Sequence, residues 1–110
     1  MATMTKKQYE AIAKPFKEAV DWKQYLYASR GFEHKNGSRK HSAEGRKNYQ
    51  YFTDLDSIVF QIANALGEAN SKFDRDHFLR SAGMWFHDDG SFSFVPGKDY
   101  IYGIEQRHNG

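Results

Sequence analysis

The side chains best able to move protons or hold charge are concentrated in NSKFDRDHFLRSAG, residues 70–83. Asp74 and His77 stand one helical turn apart, a separation at which a carboxylate can orient an imidazole for acid–base work. The spacing sets no serine or cysteine nucleophile beside them. The same residues have a structural use. Asp74 has the form of a helix N-cap, its carboxylate accepting from the first amides and meeting the positive end of the helix dipole. Phe73 and Phe78 have the spacing of a hydrophobic staple, and Gly83 is a stop signal. Capping is the stronger reading, so no catalytic residue is assigned and the chain is expected not to be an enzyme.

Metal and cofactor chemistry find no pattern. Histidines at 34, 41, 77, 87 and 108 never fall at i, i+4 on an expected helix, and cysteine is absent. HDDG at 87–90 has the flavour of a calcium loop. Aligning Gly90 with the invariant glycine, however, puts Trp85 and His87 at ligand positions and Pro96 at the last one, so a turn is expected. VPGKD at 95–99 has a Gly-Lys pair without glycine-rich spacing before it, and no helix is expected after it to receive a phosphate. No metal and no cofactor are expected.

Two sets of residues suit binding. Arg30, Lys35, Arg39, Lys40, Arg46 and Lys47, with Tyr49 and Tyr51 close behind, form the mixture that contacts phosphates and stacks bases. The helices around residues 52–66 and 74–82 also have helix–turn–helix spacing, but Asp74 and Asp76 would meet the DNA first. Trp85, Phe86, Phe92, Phe94, Tyr100 and Tyr102 form the second set, an aromatic concentration suited to a protein partner. Tyr25, Tyr27 and Phe32 add to it.

The elements that must carry these residues follow from periodicity. Thr5 and Gln8 have capping-box spacing, and Tyr9, Ile12, Ala13 and Phe16 form one helical stripe. Pro15 lacks the amide that should bond to Ala11, so a kink or break is expected near Lys14, with the helix resuming through Val20, Tyr25 and Leu26. Residues 31–48 read as a basic loop, since the Asn36-Gly37 turn signal lacks alternating strands on its two sides. Phe52, Leu55, Val59, Ile62, Ala63 and Leu66 share one helix face, which Phe60 widens. Beyond Gly83, the turns at Asp89-Gly90 and Pro96-Gly97 suggest strands near 84–87, 91–95 and 99–104, with 105–110 frayed.

The fold class expected is α+β, a small helix-dominated single domain over 1–110. Its parts are a kinked helix at 5–29, the basic loop at 31–48, a central helix at 50–67, a short capped helix at 74–82, and a C-terminal β-hairpin or short meander at 84–104. At 110 residues, 39% hydrophobic and 16% aromatic, the chain can build one modest core. With no cysteine, disulfides, thiol catalysis and thiolate zinc sites are excluded. No apolar run reaches the roughly 18–20 residues that span a bilayer. The opening MATMTKKQYE lacks the apolar stretch of a secretory signal, and Met4 is a second candidate start. Net charge is +2 over residues 1–29, +4 over 30–47 and −4 over 48–110, a basic loop on an acidic remainder.

DLDSIVFQIANALGEANSKFDRDHFLRSAG, residues 54–83, resembles the end of many small bacteriophage and mobile-element proteins. In these an amphipathic helix leads to an NPRFDRxxFLxxCG motif. MTKKQYEAIAKPFKEA, residues 4–19, is similar to their opening helix. Ser71-Lys72 stand where Pro-Arg is usual, Ser81-Ala82 where Ala-Cys is usual, and the aromatic extension is additional. The resemblance implies a phage-type accessory protein in the cytoplasm of an infected bacterial host. Its expected role is to bind a host protein or nucleoprotein complex as an anti-defence (anti-CRISPR-like) or host-takeover inhibitor. The alternative is a small nucleic-acid-binding regulator using the 30–47 loop.

Overall fold

The structure, a computed structural model, describes residues 4–109. The expectation about a start at Met4 concerns residues 1–3 and lies outside them. The architecture is a helix-dominated α+β domain: α1 (Lys6–Arg30), β1 (Phe32–Lys35), β2 (Ser38–His41), α2 (Ala43–Ala69), α3 (Arg75–Ser81), β3 (Trp85–Phe86), β4 (Phe92–Ser93) and α4 (Lys98–Asn109).

The capping box starts α1: Gln8 N–H donates to Thr5 Oγ1 at 3.3 Å and Thr5 N–H donates to Gln8 Oε1 at 2.7 Å. The helix runs unbroken through Pro15, against the break expected near Lys14. Tyr9 and Ala13 before the proline and Val20, Gln24 and Tyr27 after it are buried in the same core. Packing on both sides holds the exposed proline turn in line although one backbone bond is missing.

The basic loop is a second correction. It contains the antiparallel pair β1–β2, with Phe32 opposite His41 and His34 opposite Arg39. Asn36 and Gly37 both have positive φ (53° and 76°), which suits the tight hairpin that Asn-Gly favours. The turn signal was therefore sound. The flanking residues are almost all polar, so no apolar alternation marks them as strands.

Residues 43–48, expected as loop, belong to the first two turns of α2. Ser42 caps that helix, accepting from Gly45 N–H at 3.0 Å while its hydroxyl donates to Arg30 O at 2.7 Å. Here α1 and α2 approach so closely that a β-carbon on Gly45 would fall 2.0 Å from Gly31 O.

The C-terminal extension divides. β3 and β4 pair antiparallel as two-residue strands, Trp85 opposite Ser93 and Phe86 opposite Phe92. The third strand expected at 99–104 is instead helix α4, which continues to Asn109 where fraying was expected; Gly110 lies outside the described residues. Tyr100 and Tyr102 suggested alternation, but the buried pair is Ile101 and Ile104, at helical spacing. These isoleucines let α4 pack against α1.

Phe52, Phe78, Phe94, Leu79, Val20 and Val59 are fully buried at the centre. Truncating one of these phenylalanines to alanine should cost about 3–5 kcal/mol. Gln24, also buried, donates from Nε2 to Gly83 O and Phe94 O, both at 2.9 Å, and so ties α1 to the chain beyond α3. The molecule measures 59 × 24 × 22 Å, its length set by α1 and α2 with the β1–β2 hairpin at their junction. No helix among the described residues is long and apolar enough to cross a membrane.

Candidate functional site

The acid–base cluster at 74–77 is used as a fastening. Asp74 Oδ1 accepts from His77 N–H at 3.0 Å, making Asp74 the N-cap of α3. The rings of Phe73 and Phe78 lie 5.6 Å apart, as a staple requires. Gly83, with φ 99°, closes the helix end. One element of the sequence reading needs correction, because a serine does stand beside His77: Ser81 Oγ is 3.5 Å from its Nε2. Glu10 Oε1, however, is 2.9 Å from the same nitrogen. A catalytic triad needs the nucleophile and the orienting acid on opposite ring nitrogens of the histidine. This trio ties α3 to α1 instead.

A groove opens between α2, the β3–β4 turn and the start of α4. Its volume is about 740 Å³, within the range of ligand sites. Tyr49 and Asp56 come from α2, Trp85, Phe86 and His87 from β3 and its end, and Lys98, Asp99 and Tyr100 from α4. The indole of Trp85 lies 5.2 Å from the Tyr100 ring. It also leans on Gly97, where an added β-carbon would come within 3.3 Å of it. Any larger residue there would push the indole aside.

Charge in the groove is lopsided, with Asp56, Asp88, Asp89 and Asp99 facing the single cation Lys98. Asp56 projects from the apolar face of α2 and its Oδ1 accepts from Phe94 N–H at 2.8 Å. Burial pushes its carboxyl up to about 6, although that hydrogen bond and the nearby His87 pull the other way. Asp89 is held below the usual carboxylate range by the hydroxyl and then the amide of Ser91, which reach it at 2.6 and 3.0 Å. With Gly90 at φ 87° and Gly90 N–H donating to His87 O at 2.9 Å, HDDG is the turn expected of it.

The nominated aromatics separate by position. Phe94 and Phe92 belong to the core, which corrects their assignment to a binding surface. Trp85, Phe86 and Tyr100 line the groove. Tyr102 is 61% exposed on α4, outside the groove's lining. The six basic residues separate too. Arg39 is committed to Glu105 at 2.8 Å and stacks on Phe32 at 4.1 Å, while Arg46 donates to His41 O at 3.2 Å. Arg30, Lys35, Lys40 and Lys47 remain exposed.

The reading of VPGKD also needs correction, since a helix does follow it. Ile101 N–H donates to Gly97 O at 3.1 Å, placing Gly97 at the cap of α4. The mouth of that helix opens beside Asp99 and the groove's other carboxylates, which repel phosphate.

His87 and Ser93 form a second polar pair, Nε2 and Oγ 2.7 Å apart. They link β3 to β4 across the hairpin, and Asp56 Oδ1 is engaged with the Phe94 amide. Among the described residues, no three His, Asp or Glu side chains gather as a metal site would need.

Sequence reasoning passed over Tyr49, Asp56, His87 and Asp99 as a set, because their proximity is tertiary. One signal was available: Asp56 falls four residues after Phe52 and three before Val59, a carboxylate in line with an apolar stripe. Comparison with protein-family models, with curated proteins and with solved structures finds no match to this chain.

Proposed function

We propose that this chain is a non-enzymatic, phage-type accessory protein that works by holding a host protein or nucleoprotein complex in the cytoplasm of an infected cell, as an anti-defence or host-takeover inhibitor. The observation that carries the binding reading is the groove itself. Trp85 and Tyr100 meet there in partly exposed positions, with Phe86 half exposed at the rim. Large aromatic side chains at the surface of a concave site supply contact area at low entropic cost and are enriched at protein interfaces. Support for the phage origin comes from the 54–83 motif and the 4–19 helix.

Affinity capture from bacterial lysate tests this, using the intact chain beside Trp85→Ala and Tyr100→Ala variants shown to be folded. One protein assembly should be recovered with the intact chain and lost with the variants. Recovery of the same assembly by the folded variants would overturn the groove as the contact.

A second reading, a nucleic-acid-binding regulator, has its own observation. Lys35 and Lys40 share the outer face of the β1–β2 hairpin, with Arg30 and Lys47 exposed near its base. Nucleic-acid binding that weakens steeply with salt, and is lost when these four become alanine, would favour that reading over ours.

A further inference from the structure

We infer that the groove holds a lysine or arginine side chain presented by a basic segment of the partner protein. This deepens the protein-binding reading above and rests on it. Tyr49, Trp85 and Tyr100 supply aromatic surface from three different elements, and Asp56, Asp88 and Asp99 bring carboxylates into the same space. A cation is attracted to the face of a Trp or Tyr ring, more strongly when water is displaced. Carboxylates then complete its shell through charge-assisted hydrogen bonds.

Other ligand classes fit less well. A phosphate or acidic peptide would meet like charge. A neutral apolar ligand would strip water from the carboxylates and return nothing to them. The volume, about 740 Å³, exceeds what one side chain needs and accommodates the residues flanking the cation. Two groups on the lining oppose a bound cation, Lys98 at the start of α4 and His87 whenever it is protonated.

The test uses Trp85 as its own reporter. The chain has two tryptophans, and Trp22 is exposed on α1 outside the groove's lining, so a Trp22→Phe chain leaves Trp85 as the sole indole. Its fluorescence is titrated with a hexapeptide of alternating glycine and arginine, with the same peptide carrying neutral citrulline, and with a glycine–glutamate counterpart. The arginine peptide should give a saturable change, and the citrulline peptide should bind about tenfold more weakly or worse. Lys98→Ala should tighten the arginine peptide, and Asp99→Asn should weaken it. Asp99 is exposed and Lys98 is too, so both variants should keep the thermal melt of the parent chain.

Equal affinity for the arginine and citrulline peptides would overturn the inference, as would the absence of saturation or a loss of binding in Lys98→Ala. Sedimentation showing a self-association that Asp99→Asn abolishes would overturn it too, because the occupant would then be the basic hairpin of a second copy. The two proposals fail separately. Lysate capture that survives Asp99→Asn, beside a failed titration, sinks the cation site and leaves protein binding standing. A charge-selective titration with nothing captured leaves the cation site standing and sinks the host-protein reading.

Discussion

Asp74 and Asp56 are both carboxylates fixed by a backbone amide, yet their surroundings give them different consequences. Asp74 is exposed and caps α3 through His77 N–H. Asp74→Ala should cost about 1 kcal/mol of stability, measurable by urea unfolding, and leave partner capture intact. Asp56 receives Phe94 N–H from within the fold, and burial lifts its carboxyl from 3.8 to about 6. Between these values the native state keeps a proton that the unfolded chain has released. Its contribution to stability is therefore fully present below about pH 4 and is lost as pH rises through about 6. Asparagine keeps an acceptor for the Phe94 amide but cannot titrate. The difference in urea midpoint between the parent chain and Asp56→Asn, followed from pH 4 to pH 7, should shift in favour of the variant as pH rises. A flat difference would refute the burial argument. Asp74 was legible in the sequence because a cap is local. Asp56 was legible only as an oddity on an apolar stripe, since its partner lies 38 residues away.

At the level of elements, the junction between α1 and α2 depends on two glycines and a serine. Gly31 O accepts from Ser42 N–H at 2.9 Å, and the Gly45 α-carbon lies against that same carbonyl. Gly45→Ala would force a methyl into the carbonyl, so α1 and α2 must part. The expected cost is about 1–3 kcal/mol, read as a lower thermal midpoint. The hairpin beyond this junction is anchored by its inner face, where Phe32, Arg39 and His41 meet Tyr27 and Glu105. Tyr27 Oη lies 2.6 Å from His41 Nε2, and burial, then Tyr49, pushes the phenol up to about 12, so it keeps its proton at neutral pH. Short polar strands carry no periodicity of their own. Their pairing is visible only once the helices they dock on are in place.

For the whole molecule, the extension after Gly83 is structural as well as a candidate surface. Met84, Phe92, Phe94, Ile101 and Ile104 are buried in the same core as α1 and α2. A chain ending at Gly83 should therefore lose its cooperative thermal transition, followed by circular dichroism, and could not serve as a test of binding. Point changes at the groove, such as Trp85→Ala and Lys98→Ala, are the informative variants. A truncated chain that melts cooperatively at the parent temperature would show that the extension is an appendage after all.

From the sequence alone came the helix-dominated class, the caps of α1 and α3, the apolar stripe of α2 and the Asp89-Gly90 turn. Each rests on interactions within about one turn of helix or one tight turn, where side-chain chemistry acts on neighbouring backbone. The tertiary structure alone decided that Tyr100 belongs to a helix, that Phe94 is core while Trp85 is surface, and that Arg39 answers to Glu105. It also decided that four aspartates and four aromatic rings, drawn from α2, the β3–β4 hairpin and α4, share one groove. Those outcomes depend on which faces find an apolar neighbour. Burial is a property of the packed whole, and a short segment with two competing periods adopts the one its neighbours reward.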